Sequence, residues 1–198
     1  MIKLEKISKS FKENIVLNVI DLEVYQGELL HIYGSNGCGK STLLKIIAGL
    51  MKPDQGFITL DSSAQIGALI ENPHFIEKET IRFNLKFLYE LTNQWQEEEV
   101  GKLLTFFDLD IRDKRALRKY SIGMRQKVGI IQAVMENQNV ILLDEPSRGL
   151  DEESVDKFFT LINYLHEKGK TIIISAHDGV EGIKFDRVVH LKNGKLLS

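Results

Sequence analysis

The stretch Gly34-Ser35-Asn36-Gly37-Cys38-Gly39-Lys40-Ser41 constrains this chain more than any other. It follows an apolar run, Leu29-Leu30-His31-Ile32-Tyr33, and precedes Leu43, Leu44, Ile46, Ile47 and Leu50 at helical spacing. Strand, glycine loop and helix, in that order, are the context in which a loop binds phosphate. The glycines let the backbone turn so that successive N–H groups face one anion. The new helix adds its positive end. Lys40 would reach β- and γ-phosphates, and the Ser41 hydroxyl, with Thr42 beside it, would ligate Mg²⁺. The plainer reading, a glycine-rich turn with a surface lysine, leaves the flanking strand and helix unaccounted for.

Size and charge remove other classes. A chain of 198 residues, 43% of them hydrophobic, holds one large domain or two small ones with a sizeable core. A net charge of −2 offers no broad basic field for nucleic acid or an acidic lipid surface. No apolar run approaches a membrane span, and the start, Met1-Ile2-Lys3-Leu4-Glu5-Lys6, lacks the apolar centre of a secretory leader. One cysteine rules out an internal disulfide and offers no zinc cluster. A cytoplasmic protein is expected, with any membrane association made through a partner.

The pattern along the chain is α/β. Residues 2–33 read as strands, with Ile15 to Val24 alternating loosely and Gln26-Gly27 turning into the strand before the loop. A helix is expected over 40–51, ended by Pro53-Asp54-Gln55-Gly56. Phe57 to Leu60 and Gln65 to Ile70 are further strands. From Thr80 to Met135 the texture is mostly helical: Val100, Leu103, Leu104 and Phe107 share a face, and Glu97, Glu98 and Glu99 sit at that helix's positive end. The run Val140-Ile141-Leu142-Leu143 suits a central parallel strand. Helix 151–168, a strand from Thr171 to Ser175, and a hairpin around Asn193-Gly194 complete the pattern. The layout is a single domain over 1–198, a core of 1–75 and 136–198 interrupted by a helical insertion at 76–135.

A phosphate loop needs a carboxylate for the metal and a group to activate water. Leu142-Leu143-Asp144-Glu145-Pro146 supplies both, about 100 residues after the loop. Asp144 ends a buried strand, where ligands gather in parallel sheets, and would hold the metal. Glu145 would take a proton from the attacking water. Alone, an acidic strand-end turn would say little. Three more segments make the pattern specific: Tyr120-Ser121-Ile122-Gly123-Met124-Arg125-Gln126, Ser147-Arg148-Gly149-Leu150-Asp151 and Ile174-Ser175-Ala176-His177-Asp178. In order and spacing these resemble the signature, D-loop and switch-histidine segments of the ATP-binding cassette (ABC) ATPases, across essentially the whole chain.

The resemblance implies a fold: a P-loop, RecA-like core with an N-terminal antiparallel β subdomain and a helical insertion. It implies two subunits, a homodimer by expectation, sandwiching two ATPs with Mg²⁺. Each phosphate loop then meets the partner's signature, where Ser121 and the Gly123 N–H open helix 122–137. An ordinary N-cap is the plainer role for Ser121. His177 would contact the γ-phosphate, while His31 and His190 are read as packing or surface residues. Phe11 lies 23 residues before Gly34, where the family stacks an aromatic on adenine; a core phenylalanine is the alternative. Gly149, Leu150 and Asp151 would form the dimer D-loop. Trp95 is read as packing. Cys38 sits by a helix N-terminus and Lys40, both of which favour thiolate; a buried, inert thiol is the alternative.

Four positions depart from the pattern. Glu71 stands where the Q-loop usually has glutamine, and could still bind metal or water; a solvated loop acid is the alternative. Ile122 and Met124 replace a glycine and a glutamine of the signature, and Arg148 replaces a small D-loop residue. A glutamate Q-loop with this signature resembles short bacterial cassettes of the ABC-2 export type, among them bacitracin-resistance and lantibiotic-immunity transporters. The resemblance therefore implies an ATPase subunit on the inner face of the membrane, powering export of an antimicrobial peptide or drug through a separate permease. The groove near Glu71, Asn72, Phe75 and the helix from Ile81 would grip that permease. The alternative is a nucleotide-dependent regulator with little turnover. No nucleic-acid partner is expected, since only about 80 residues separate Lys40 from Ser121, too few for the coiled coil of chromosome-maintenance members.

Overall fold

The computed structural model describes residues 1–197, so position 198 of the expected domain lies outside the described residues. Strands β1 (Ile2–Phe11), β2 (Asn14–Val24) and β4 (Gln55–Leu60) make an outer antiparallel sheet in the order β2-β1-β4. Bulges explain its loose alternation. Leu4 and Ile7 are both buried although three residues apart, and the register with β2 shifts between them where Lys6 takes φ 51°. Leu17 and Ile20 behave alike around Val19, at φ 54°. Each extra residue is absorbed by the bulge, and the apolar side chains return to one face.

The larger sheet comprises β3 (Leu29–Tyr33), β5 (Ile66–Leu69), β6 (Val140–Asp144), β7 (Thr171–Ala176), β8 (Arg187–Lys192) and β9 (Lys195–Leu197). Its order is β5-β6-β7-β3-β8-β9, parallel except for β9. Asn193 and Gly194, at φ 50° and 72°, turn the expected hairpin. Every residue of β6 and β7 is buried, because both faces are covered. Leu30, Ile32, Leu142 and Ile173 face the outer sheet and helix α1 (Lys40–Ile47). Ile141, Leu143, Ile172 and Ile174 face the other helices.

Those helices are α2 (Ile81–Tyr89), α3 (Glu97–Phe106), α4 (Ile122–Val134) and α5 (Glu152–Glu167). Thr80, Ser121 and Asp151 cap α2, α4 and α5 by accepting from backbone N–H groups. Helix α4 shares its apolar face with the sheet: Val128, Ile131, Ile141 and Leu143 belong to one core with Phe158 and Ile162 of α5. The helices are shorter than the sequence pattern suggests. α1 stops before 51 because Ala48 caps it and Gly49, at φ 72°, turns the chain, leaving Leu50 70% exposed. Trp95 packs edge-on against Tyr89 at 5.5 Å. His31 stacks on Phe185 at 4.6 Å, and burial lowers its pKa. His190 meets the edge of Tyr33. All three fill the packing roles expected of them.

Candidate functional site

Sheet order assembles the site. Adjacent strands β5, β6, β7 and β3 run parallel, so their C-terminal ends share one edge. Glu71 follows β5, Asp144 ends β6, His177 follows β7, and the glycine loop follows β3. Residues far apart in sequence therefore meet where parallel sheets place their ligands.

The loop closes on its own lysine. Gly39, at φ 111°, turns the backbone into α1, a conformation that glycine adopts without strain. A side chain there would also come 2.9 Å from the Val16 carbonyl. Lys40 is 5% exposed and folds back: Nζ donates to Gly34 O at 2.6 Å and to Ser35 O at 3.3 Å. Its Nζ also lies 3.1 Å from Glu145 Oε1. The ammonium thus makes two hydrogen bonds within its own loop and an ion pair with Glu145.

Asp144 is 4% exposed. Its Oδ1 accepts from Ser175 Oγ at 2.5 Å, and its Oδ2 from the Glu71 N–H at 3.4 Å. Glu145 takes φ 46°, and its N–H donates to Ser175 O. That turn aims its carboxylate between Lys40 and His177, whose Nδ1 lies 3.0 Å from Oε2. His177 Nε2 lies 3.1 Å from Asp178 Oδ2. Ammonium, carboxylate, imidazole and carboxylate thus follow one another along Lys40, Glu145, His177 and Asp178.

Lys40, Asp144 and Glu145 border a cleft of about 550 Å³, within the range of small-molecule sites, while His177 and Asp178 line a neighbouring cavity that shares Glu145. Asn36, Gly37, Gly39, Ser41 and Thr42 line it, with Asp144 and Glu145. Phe11, 45% exposed, lines it as well. A buried cation in a glycine loop suits a polyphosphate, and the hard oxygen donors of Ser41 and Asp144 suit Mg²⁺.

Some expected residues sit differently. The Cys38 side chain packs into the core on the outer-sheet side of the larger sheet and lies outside the lining of the cleft. Its Sγ turns towards Gly34, so the loop's curvature favours the packed thiol over the reactive one. Gly34 and Ser35 meet Lys40 through their carbonyls. The Glu71 carboxylate lines the cleft but is held by Lys45 Nζ at 2.6 Å. Ser121 and Gly123 lie outside the lining; Ser121 Oγ accepts from the Met124 N–H, as an N-cap does. The segment around Gly149 packs on that same helix start, since a side chain added at Gly123 would come 2.5 Å from Gly149 O. Leu150 packs on the main core, and Asp151 caps α5 through Ser154.

Two participants were not foreseen. Gln126 Nε2 donates to Glu145 O and Pro146 O, both at 3.1 Å, fixing the turn that carries Glu145. Lys45 restrains Glu71. Nothing local in sequence marks either, because each acts on a segment distant in the chain.

Comparison with known proteins agrees with this geometry. Residues 17–148 match the ABC transporter family. An uncharacterized ABC transporter ATP-binding protein of Methanocaldococcus jannaschii, MJ1023, is 37% identical over 98% of this chain and 75% of its own length. The bacitracin transport ATP-binding protein BcrA of Enterococcus faecalis is 32% identical over 89% of this chain and 61% of its own. The lantibiotic transport ATP-binding protein SrtF of Streptococcus pyogenes is 29% identical over 89% and 80%. The dimeric, post-hydrolysis structure of the cassette MJ0796 with ADP and Pi superposes with a TM-score of 0.90 at 26% identity, over 100% of this chain and 97% of that one. With a phosphate loop, an acidic strand end and a histidine brought to one sheet edge, this chain belongs to the ABC transporter family, as an ATP-binding cassette of its ATPase subunits.

Proposed function

We propose that this cassette powers export through a separate membrane permease, with ATP bound in the cleft at the ends of β3, β6 and β7. The observation that carries the reading of the cleft is the convergence of Lys40, Asp144, Glu145 and His177. The loop from Gly34 to Thr42 cradles the phosphates, and Phe11 stacks on the base. Ser41 and Asp144, with Glu71 next to them, hold Mg²⁺, which when bound neutralises charge on the β- and γ-oxygens. The Glu145 carboxylate lies 3.1 Å from Lys40 Nζ, so a phosphate bound by this ammonium exchanges with the carboxylate. That exchange frees Glu145 to accept the proton of the attacking water, with His177 beside it.

Ser121 and Gly123 stand at a helix start outside the lining of this cleft, which supports their serving a second subunit's nucleotide. The dimeric relatives support the same assembly. Gly149, Leu150 and Asp151 would then lie at the seam between subunits. Relatives named for bacitracin and lantibiotic transport support an exporter, with a peptide or drug as cargo. Among the described residues no helix is long and apolar enough to cross a membrane; in this reading a permease spans it and the cassette sits on the permease's cytoplasmic face. Phe83 and Phe87, both about half exposed on α2 and stacked at 6.3 Å, line a pocket of their own with Thr80 and Lys86 and give the insertion an apolar surface. The insertion at 76–135 is the part proposed to meet the permease.

The test is Glu145→Gln. Phosphate release should fall by roughly 100-fold or more while ATP still binds, and the stalled chain should elute as a dimer in size-exclusion chromatography. Unchanged turnover removes Glu145 as the base. Copurification with a polytopic membrane protein tests the exporter. Negligible turnover by the unaltered chain, with or without that partner, favours the regulator.

A further inference from the structure

We infer that Arg148 is a phosphate-contacting residue, reading the terminal phosphate of the ATP held by its own subunit. This rests on the proposal that the cleft is the ATP site. Arg148 lines that cleft. It also lines a smaller neighbouring cavity of about 370 Å³, shared with Asn36, Glu145 and His177. Phe11 and Val16 border the first cavity and not the second. Arg148 therefore stands at the Glu145 end of the cleft, away from the aromatic end.

Charge supports the same role. Two cations line the cleft, Lys40 and Arg148, against three carboxylates, Glu71, Asp144 and Glu145. Glu71 is held by Lys45, and Glu145 by Lys40 and His177. Asp144 accepts from Ser175 and the Glu71 N–H. Lys40 donates to Gly34 O and Ser35 O and pairs with Glu145. Among the described residues, Arg148 has no ion-pair partner. It is exposed, while its backbone is fixed by its N–H donating to Glu145 O at 3.1 Å. A guanidinium presents a planar fork of donors that matches phosphate oxygens two at a time. Held on the turn that also carries Glu145, it meets the phosphate whose cleavage Glu145 serves. The small residue usual at this position could not make that contact.

The experiment measures ATP and ADP binding by calorimetry in Mg²⁺ buffer, using the full chain at concentrations where light scattering shows a monomer. Arg148→Ala should weaken ATP by about tenfold, the size of one charge-assisted hydrogen bond, and ADP by less than about twofold. Arg148→Lys should recover part of the ATP loss, and neither variant should lower the thermal midpoint. Equal losses for ATP and ADP, or none, overturn the inference. So does a loss that appears only in dimeric protein, which would move the contact to the partner's nucleotide. Should the unaltered chain fail to bind ATP, the cleft assignment falls and takes this inference with it. An Arg148→Ala chain that binds ATP as the unaltered chain does overturns this inference alone.

Discussion

The starts of α1 and α4 both carry glycine, and they are built oppositely. The loop before α1 wraps its own cation: Lys40 is 5% exposed and bonded to Gly34 O and Ser35 O. The start of α4 is turned outward, with Ile122 75% exposed and Ser121 engaged only in capping. Both offer free N–H groups and a positive helix end. Only the first is surrounded by the carboxylates, histidine and cleft walls that a nucleotide needs. One helix start thus lies in a cleft with charged groups from several strands, and the other lies outside that cleft; under the proposed function the second serves a partner's nucleotide.

The sharpest way to break this comparison is to remove one side chain from each loop. Lys40→Ala should weaken ATP binding to the isolated cassette by roughly 10- to 100-fold, since a charge-assisted contact is lost. Ser121→Ala should leave monomer binding unchanged and reduce the ATP-induced dimer in size-exclusion chromatography. Equal loss of monomer binding in both variants would erase the distinction between complete and partial site.

Gly123→Ala probes how the second loop is held. A methyl group 2.5 Å from Gly149 O must push the two segments apart, at a cost of about 1–3 kcal/mol in stability. Chemical denaturation should show that loss while monomer ATP binding persists. A stable Gly123→Ala protein would mean that the contact between these segments is loose.

Phe11→Ala sharpens the first side. Phe11 is 45% exposed, so stability should change little. Loss of stacking should weaken ATP and ADP alike by about 1–3 kcal/mol, read by calorimetry. Unchanged binding would take Phe11 out of the site.

The smallest effect concerns the segment leading into α4. The Arg115 guanidinium, with its own backbone N–H and the Tyr120 hydroxyl, lowers the Asp113 pKa from 3.8 to about 2. Burial and the Asp113 hydrogen bond raise the pKa of Tyr120. A depressed carboxylate stabilises the fold above its unfolded pKa. The contribution is complete above about pH 4 and disappears as pH falls towards 2. Asp113→Asn should therefore lower the thermal midpoint slightly at pH 7, and the difference from the unaltered chain should vanish in acid. A difference that persists unchanged at pH 2 would assign the effect to packing. Nucleotide binding at the first loop should not respond at any pH.

Much of the site was legible because its chemistry is local. A glycine loop between strand and helix, an acidic pair ending an apolar strand, and a histidine after another apolar strand are each a few residues long. The packing of Cys38 against the outer-sheet core, with Sγ towards Gly34, was not legible, because its place beside Lys40 in the chain does not say where its side chain points. Helix 40–51 was overextended because Leu50 keeps the apolar period after Gly49 has already turned the chain. The bulges at Lys6 and Val19 blurred an alternation that is regular once the extra residues are discounted.

By itself the sequence determined the phosphate loop, the buried parallel strands and the identity of the acidic and basic groups, because these depend on residue type and short spacing. Only the tertiary structure decided who meets whom. Strand order β5-β6-β7-β3 brings Glu71, Asp144, His177 and the loop to one edge. The same packing engages Lys40 with Glu145, ties Glu71 to Lys45, bonds Gln126 to the turn that carries Glu145 and, among the described residues, leaves Arg148 without an ion-pair partner. Those pairings depend on through-space distances of a few ångströms between segments far apart in the chain, and no periodicity in the sequence encodes them.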